Sequence, residues 1–313
     1  MPMRYMVWLP LIANVVVAVS SPTVTRRLSY RVKPAVLTAV AVVAAGCWLW
    51  CLTLVASSFL ARLPEVAGRV RGAPASHVLA ESPPPAVGAA AAVLVTAATG
   101  MLLVAAVRTG RDLARAERLV RQAPPGQVMV VPGWMPDACA VGGITGGRIV
   151  ITTGMLDCLD PAEQDAVLAH ERAHLAGGHH WLRITVACCA AVSPPLRRFP
   201  ALLEAACERW ADEHAARATE RRRVLARALS KAALTTLRSR RGGPAEPSPP
   251  PATACGFRHG TVTERIAALL EDAPGITRMP ATPPITIIIA VSVMIGTAAH
   301  AGMDCFALLR AIF

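Results

Sequence analysis

Charged residues are missing from four long stretches of this chain, and the polar part of the sequence lies between the third and the fourth. Residues 5 to 24, 35 to 61 and 86 to 107 carry no charge, and a fourth apolar run extends from Ile285 to Met303. A helix needs about 20 apolar residues to cross the hydrocarbon core of a bilayer, so each run predicts a transmembrane helix. Between the third and fourth, the pattern changes period. Gln127 to Val131 and Arg148 to Thr153 read as short strands, with glycines at 142, 143, 146 and 147 as turn residues before the second. Ala138 to Val141 reads as a further strand at the sheet edge, the place where an extended peptide could add by backbone pairing. Asp160, Pro161 and Glu163 then have the spacing of a capping box with proline at the first helical position, so a helix should begin there.

The predicted fold is therefore mainly α and multi-pass. Residues 1–107 hold three transmembrane helices, 108–280 an inserted α+β domain with a small sheet, and 281–313 a fourth helix and short tail. Composition agrees, since 54% of the 313 residues are hydrophobic and the mean hydropathy is +0.45, which excludes an ordinary soluble enzyme. A cleaved signal peptide shares the pattern of the first run; Arg26 and Arg27 after the apolar core favour a retained helix, and Arg4 blunts that argument. Basic loops stay in the cytoplasm. Arg26, Arg27, Arg31 and Lys33 follow the first run, and Arg108, Arg111, Arg115, Arg118 and Arg121 follow the third, which puts the inserted domain on the cytoplasmic side of a cell membrane. The arginines of 108 to 122 suit either anionic lipid headgroups or an ordinary solvated face.

Net charge is +12, much of it from 217 to 241. No helix-turn-helix, zinc finger or aromatic-basic platform accompanies these residues, so direct nucleic-acid binding is not expected and a helix near anionic lipid is. Gly242 to Ala254 is proline-rich and reads as a flexible linker. The nine cysteines show no CxxC spacing and read as buried thiols in a reducing compartment.

The chemistry centres on His170, Glu171 and His174, an HExxH array within an apolar helical stretch. Residues four apart share a helix face, so both imidazoles can reach one zinc ion per chain, and Glu171 beside them can take a proton from a water whose pKa the metal lowers to about 7. Such a site needs a third protein ligand and an open fourth position. Two residues can supply it. His180 completes HExxHxxGxxH with Gly177, the metzincin spacing, whereas Glu208 lies on a second helical stretch with Asp212 one turn on, placed to orient a ligand histidine by accepting its other N–H. Metzincins also need a methionine turn beneath the metal, and Met279, Met294 and Met303 lie in unsuitable contexts.

The order Pro136-Asp-Ala-Cys-Ala, Gly147-Arg-Ile-Val-Ile-Thr-Thr-Gly-Met-Leu, the Asp160-Pro-Ala-Glu-Gln approach to HERAH, and Glu208-x-x-x-Asp212 resembles the gluzincin domains of membrane-embedded peptidases. It is most similar to the BlaR/MecR-type antirepressor peptidases, with CAAX-prenyl protease and heat-shock membrane peptidases as neighbours. The resemblance covers about residues 108 to 272 and implies Glu208 as third ligand, Asp212 behind it, three spans before the peptidase domain and one after it. It implies an endopeptidase acting on a protein or peptide substrate, a winged-helix repressor in the antirepressor case and damaged membrane protein in the heat-shock case. A catalytically silent membrane scaffold is the contrasting expectation. The sequence stops at Phe313 without the penicillin-binding domain of those sensors, so direct β-lactam sensing is not expected. His259, six residues before Arg265-Ile266, resembles the HPxxxxRI segment in which a histidine stabilises the oxyanion; Gly260 replaces the proline. Arg265 would either anchor its helix or approach the site. At Cys139, relatives often carry Phe, which would alter a subsite.

Overall fold

The computed structural model describes residues 8–25, 28–63, 83–121, 128–240, 254–256 and 262–271, with a few positions between 291 and 302. Three apolar helices come first: α1 (Trp8–Thr25), α2 (Lys33–Leu60) and α3 (Pro85–Arg121). Of the described residues, only α2 and α3 form helices long and apolar enough to cross a membrane, against the four expected. The apolar stretch of α1, Trp8–Thr23, is too short for that length, and most of the expected fourth span lies outside the described residues. A second correction concerns α3. The apolar run and the arginine-rich segment, expected as separate elements, form one helix of 37 residues, about 56 Å long at 1.5 Å per residue. Nothing in 108–121 breaks it, because this segment lacks Pro and its one glycine, Gly110, is tolerated in the helix.

Small residues allow α2 and α3 to approach. A Cβ on Gly88 would lie 2.5 Å from Phe59 Cβ, and Cys51, Leu52, Val55 and Ala91 pack around the crossing. Gly100, which the sequence also offers as a packing residue, faces open space.

A sheet follows, built from β1 (Val128–Val131), β2 (Ala138–Gly142), β3 (Gly147–Thr152) and β4 (Ala254–Gly256) in the order β1-β3-β2-β4. β1 runs parallel to β3, and β2 is antiparallel to both β3 and β4. The expectation that β2 is an edge strand is therefore wrong, since Cys139, Ala140 and Val141 pair with Gly256, Cys255 and Ala254. Alternation along β2 says which residues pair up and down in the sheet, not which distant segment will take its second edge.

Among the described residues up to 271, six further α-helices and a 3-10 turn (Pro194–Arg198) accompany the sheet: α4 (Thr153–Cys158), α5 (Pro161–Ala176), α6 (His179–Val192), α7 (Phe199–Thr219), α8 (Arg222–Arg240) and α9 (Val262–Leu270). Two apolar clusters hold α5 against the sheet and the later helices. One joins Ala138, Ile151, Met155 and Val167 to Ala228 and Ala232; the other joins Ala166 to Ala215, Leu225, Leu229 and Leu269. A third cluster unites the apolar helices with the polar domain, because Leu37, Val40, Ala41 and Ala44 of α2 pack against Val186 of α6 and Phe199 and Leu203 of α7. The stretch after His180, too short to span by itself, thus packs on α2.

The basic segment 217 to 241 also differs from expectation, for part of its charge is spent within the fold. Arg227 and Lys231 reach Glu163 at 2.8 and 2.6 Å, and Arg222 reaches Glu213 at 2.5 Å. Glu163 and Glu213 are buried carboxylates that need such partners.

Candidate metal centre

The start of α5 is fixed as its sequence implies. Asp160 accepts from the Glu163 backbone N–H at 3.0 Å, and the Glu163 carboxylate accepts from the Asp160 backbone N–H at 3.0 Å, with Pro161 next in line. From there the helix carries His170, Glu171 and His174 inward, all three buried. Gly177 ends it, and Gly178, at φ +58°, turns the chain into α6; a left-handed residue at this point is cheap only for glycine.

Helix α7 supplies Glu208 to the same place. Among the described residues, one grouping of His, Cys, Asp and Glu could hold a metal ion, and it is His170, His174 and Glu208. The two Nε2 atoms are 3.1 Å apart, and the Glu208 carboxylate oxygens lie 3.5 Å from His170 Nε2 and 3.3 Å from His174 Nε2. Nitrogen and oxygen donors at about 2.0–2.2 Å from tetrahedral zinc stand about 3.3–3.5 Å from one another, so the two imidazole nitrogens and the carboxylate, with a different Glu208 oxygen nearest each histidine, lie close to the spacing such an ion takes. The donor chemistry fits too. His170 Nδ1 lies 3.0 Å from Asp212 Oδ1, although its N–H does not point along that line, and His174 Nδ1 lies 2.8 Å from His179 Nδ1. With the ring hydrogens assigned to the Nδ1 atoms on this network, two lone pairs and a carboxylate converge, an arrangement that a cation stabilises.

Arg265 of α9 closes the cluster. It donates to both oxygens of Asp212, at 2.8 and 2.7 Å, and its Nη1 lies 2.8 Å from Glu208 Oε2. Of the two roles open to it from the sequence, the structure gives it the approach to the site. Its guanidinium outweighs the effect of burial and holds the Glu208 carboxyl well below the usual range, and Asp212 is lowered for the same reason. Burial depresses His170, but the Asp212 and Glu208 carboxylates beside it prevail and raise its pKa to about 9, so this position favours positive charge, which a proton or a bound cation can supply. Burial lowers His174 and brings His179 down to about 3. Glu171 is pushed up to about 8 by burial, and its Oε2 has no hydrogen-bond partner within the protein. A carboxyl group so placed sits near the β2 backbone at Ala140 with one oxygen uncommitted.

The remaining expectations divide. His180 does not join the metal-ligand group; its ring fills the space above Gly142, where a Cβ would come within 2.3 Å of it. His259 lies outside the described residues. His179 carries no spacing signature, because the search for a third ligand at fixed distance meets its neighbour His180. The available signal is the His179-His180 pair itself: at a helix start, two consecutive side chains diverge, so one can face the preceding helix while the other faces the sheet.

With this geometry in place, comparison with known proteins adds one match. No curated protein and no solved structure matches the chain. The sequence model of peptidase family M48 matches residues 107–194, which run from the end of the apolar part of α3 through β1, β2, β3, α4, α5 and α6 and stop before β4 and Glu208, and this similarity supports a metallopeptidase domain in the chain.

Proposed function

We propose that this protein is a membrane-bound zinc endopeptidase, and the observation that carries the reading is the convergence of His170 Nε2 and His174 Nε2, 3.1 Å apart, with the Glu208 carboxylate, whose Oε2 lies 3.5 Å from the first and whose Oε1 lies 3.3 Å from the second. His170, His174 and Glu208 would hold one zinc ion. When bound, zinc polarises the scissile carbonyl and makes water acidic enough to lose a proton near neutral pH. Glu171 takes that proton and delivers it to the leaving amine. Burial pushes Glu171 up to about 8, and a cation beside it favours the carboxylate form that a base requires. Asp212 orients His170, and Arg265 keeps Asp212 and Glu208 ionised where burial would neutralise them.

The membrane reading rests on α2 and α3, and the cytoplasmic placement of the peptidase domain on the arginines that follow α3. The motif order favours an antirepressor-type substrate, a cytoplasmic transcriptional repressor, over quality control of damaged membrane protein. Substrate would enter beside β2 in extended form. Since β4 takes the edge of β2 next to the site, an incoming peptide either displaces β4 or pairs along its far side.

Elemental analysis of detergent-purified protein tests the assignment, with Glu208→Ala, His180→Ala and Glu171→Gln beside the wild type and casein cleavage as the activity readout. Stoichiometric zinc in the wild type, loss with Glu208→Ala, retention with His180→Ala and a silent but zinc-loaded Glu171→Gln are expected. Zinc retained by Glu208→Ala and lost by His180→Ala would replace the proposed ligand set with the metzincin one. A full cellular effect from Glu171→Gln would make the chain a scaffold.

A further inference from the structure

His170 and His174 are not held alike. Behind His170 stands a carboxylate, Asp212, whereas behind His174 stands a second imidazole, His179. The His179 ring is buried at 1% exposure, with Nδ1 2.8 Å from His174 Nδ1 and the two rings edge to face at 4.9 Å. Its other side is fixed by Trp210 of α7, whose ring meets it edge-on at 5.0 Å. Gly177 leaves it room: a Cβ there would lie 2.5 Å from His179 Nε2. The ring is thus packed between His174, Gly177 and Trp210 of α7, the helix that also carries Glu208.

A histidine that offers its Nε2 lone pair to a metal carries its hydrogen on Nδ1, and a buried N–H requires an acceptor. The atom in position to accept from His174 is His179 Nδ1. We infer that His179 is a positioning residue for His174, accepting the Nδ1–H so that the ring is locked in the tautomer and orientation that present Nε2 to zinc. His179 itself then carries its hydrogen on Nε2. Because the acceptor is neutral, it fixes the ligand without adding a negative charge to a cluster that already holds Glu208, Asp212 and Glu171. This inference rests on the zinc site proposed above.

The test is zinc affinity of the full-length protein in detergent, measured by competition with a chromogenic chelator at one pH, for wild type, His174→Ala, His179→Phe and His179→Asn. Phenylalanine keeps a ring against Trp210 and removes the acceptor; asparagine Oδ1 takes nearly the place of Nδ1 and restores it. Loss of an outer hydrogen-bond partner weakens metal binding about ten- to a hundred-fold, so His179→Phe should fall by that factor and His179→Asn should stay within about three-fold of wild type. If phenylalanine is not accommodated, His179→Leu carries the same expectation. Wild-type affinity in His179→Phe, or equal losses in Phe and Asn variants, would overturn the positioning role while leaving the zinc site intact. No zinc binding by the wild type, or none lost in His174→Ala, would remove the zinc site and this inference with it.

Discussion

Replacing Asp212 with asparagine keeps the shape of a fully buried side chain and removes its charge. Arg265 makes two contacts to Asp212, at 2.7 and 2.8 Å, and the variant turns one of these oxygens into an N–H₂ that faces a donor. Breaking a buried ion pair from one side costs about 3–5 kcal/mol. Arg265 keeps Glu208 at 2.8 Å, so the lower end of that range applies, about 3 kcal/mol. At about 2–4 °C per kcal/mol, the melting temperature should drop by about 6–12 °C. The asparagine oxygen in the Oδ1 position still faces His170 Nδ1, now as a neutral acceptor, so zinc affinity should fall by less than the about ten- to a hundred-fold expected when such a partner is removed outright. Asp212→Asn combined with Arg265→Met removes both charges, and in zinc-loaded protein this double variant should melt above the single one, because no unpaired guanidinium remains buried. The assay is thermal unfolding in detergent with zinc present. The folded-state pKa of Asp212 is depressed, so its contribution is complete above the ordinary carboxylate range and is lost as pH falls through the lowered value. The gap between wild type and Asp212→Asn should be full at pH 7 and narrow only below about pH 4. A variant that melts within about 2 °C of wild type at pH 7, or a double variant that loses the sum of the single losses, would refute the account of the cluster as a coupled buried network.

Gly88→Val should destabilise the protein by about 1–3 kcal/mol in the same melting assay, since its Cβ would meet Phe59, whereas Gly100→Ala should melt at or slightly above wild type; equal effects at the two glycines would count against the α2–α3 crossing. Glu117 accepts hydrogen bonds from the Thr145 hydroxyl, from Arg121 on its own helix and from the backbone N–H groups of Thr145 and Ile144, which together lower its pKa to about 2, so the tie between α3 and the β2–β3 turn holds above the usual carboxylate range and loosens as pH falls through that value. Glu117→Gln should raise amide hydrogen exchange at 144 and 145 at neutral pH, and unchanged protection there would remove the tie.

Local sequence alone determined the elements whose causes are local. Asp160, Pro161 and Glu163 set the start of α5 within one turn, the HExxH spacing put His170 and His174 on one face, and three uncharged runs marked α1, α2 and α3. The positions of β1, β2 and β3 followed from apolar runs bounded by turn residues, whereas β4, at the end of the stretch that reads as a flexible linker, did not. Glu208 and Asp212, one turn apart, were legible as a pair, and a family pattern supplied their partner. What tertiary structure decided is which distant segments meet. β4 took the second edge of β2, Arg265 reached Glu208 and Asp212, and His179 rather than its neighbour turned toward His174. Part of the basic stretch, which reads as lipid-facing, came to neutralise Glu163 and Glu213. The physical reason is common to these cases. Capping and helical periodicity act over one or two turns and are written in adjacent residues, whereas pairing of buried charges and strand edges is settled by which groups lose water together when the chain closes.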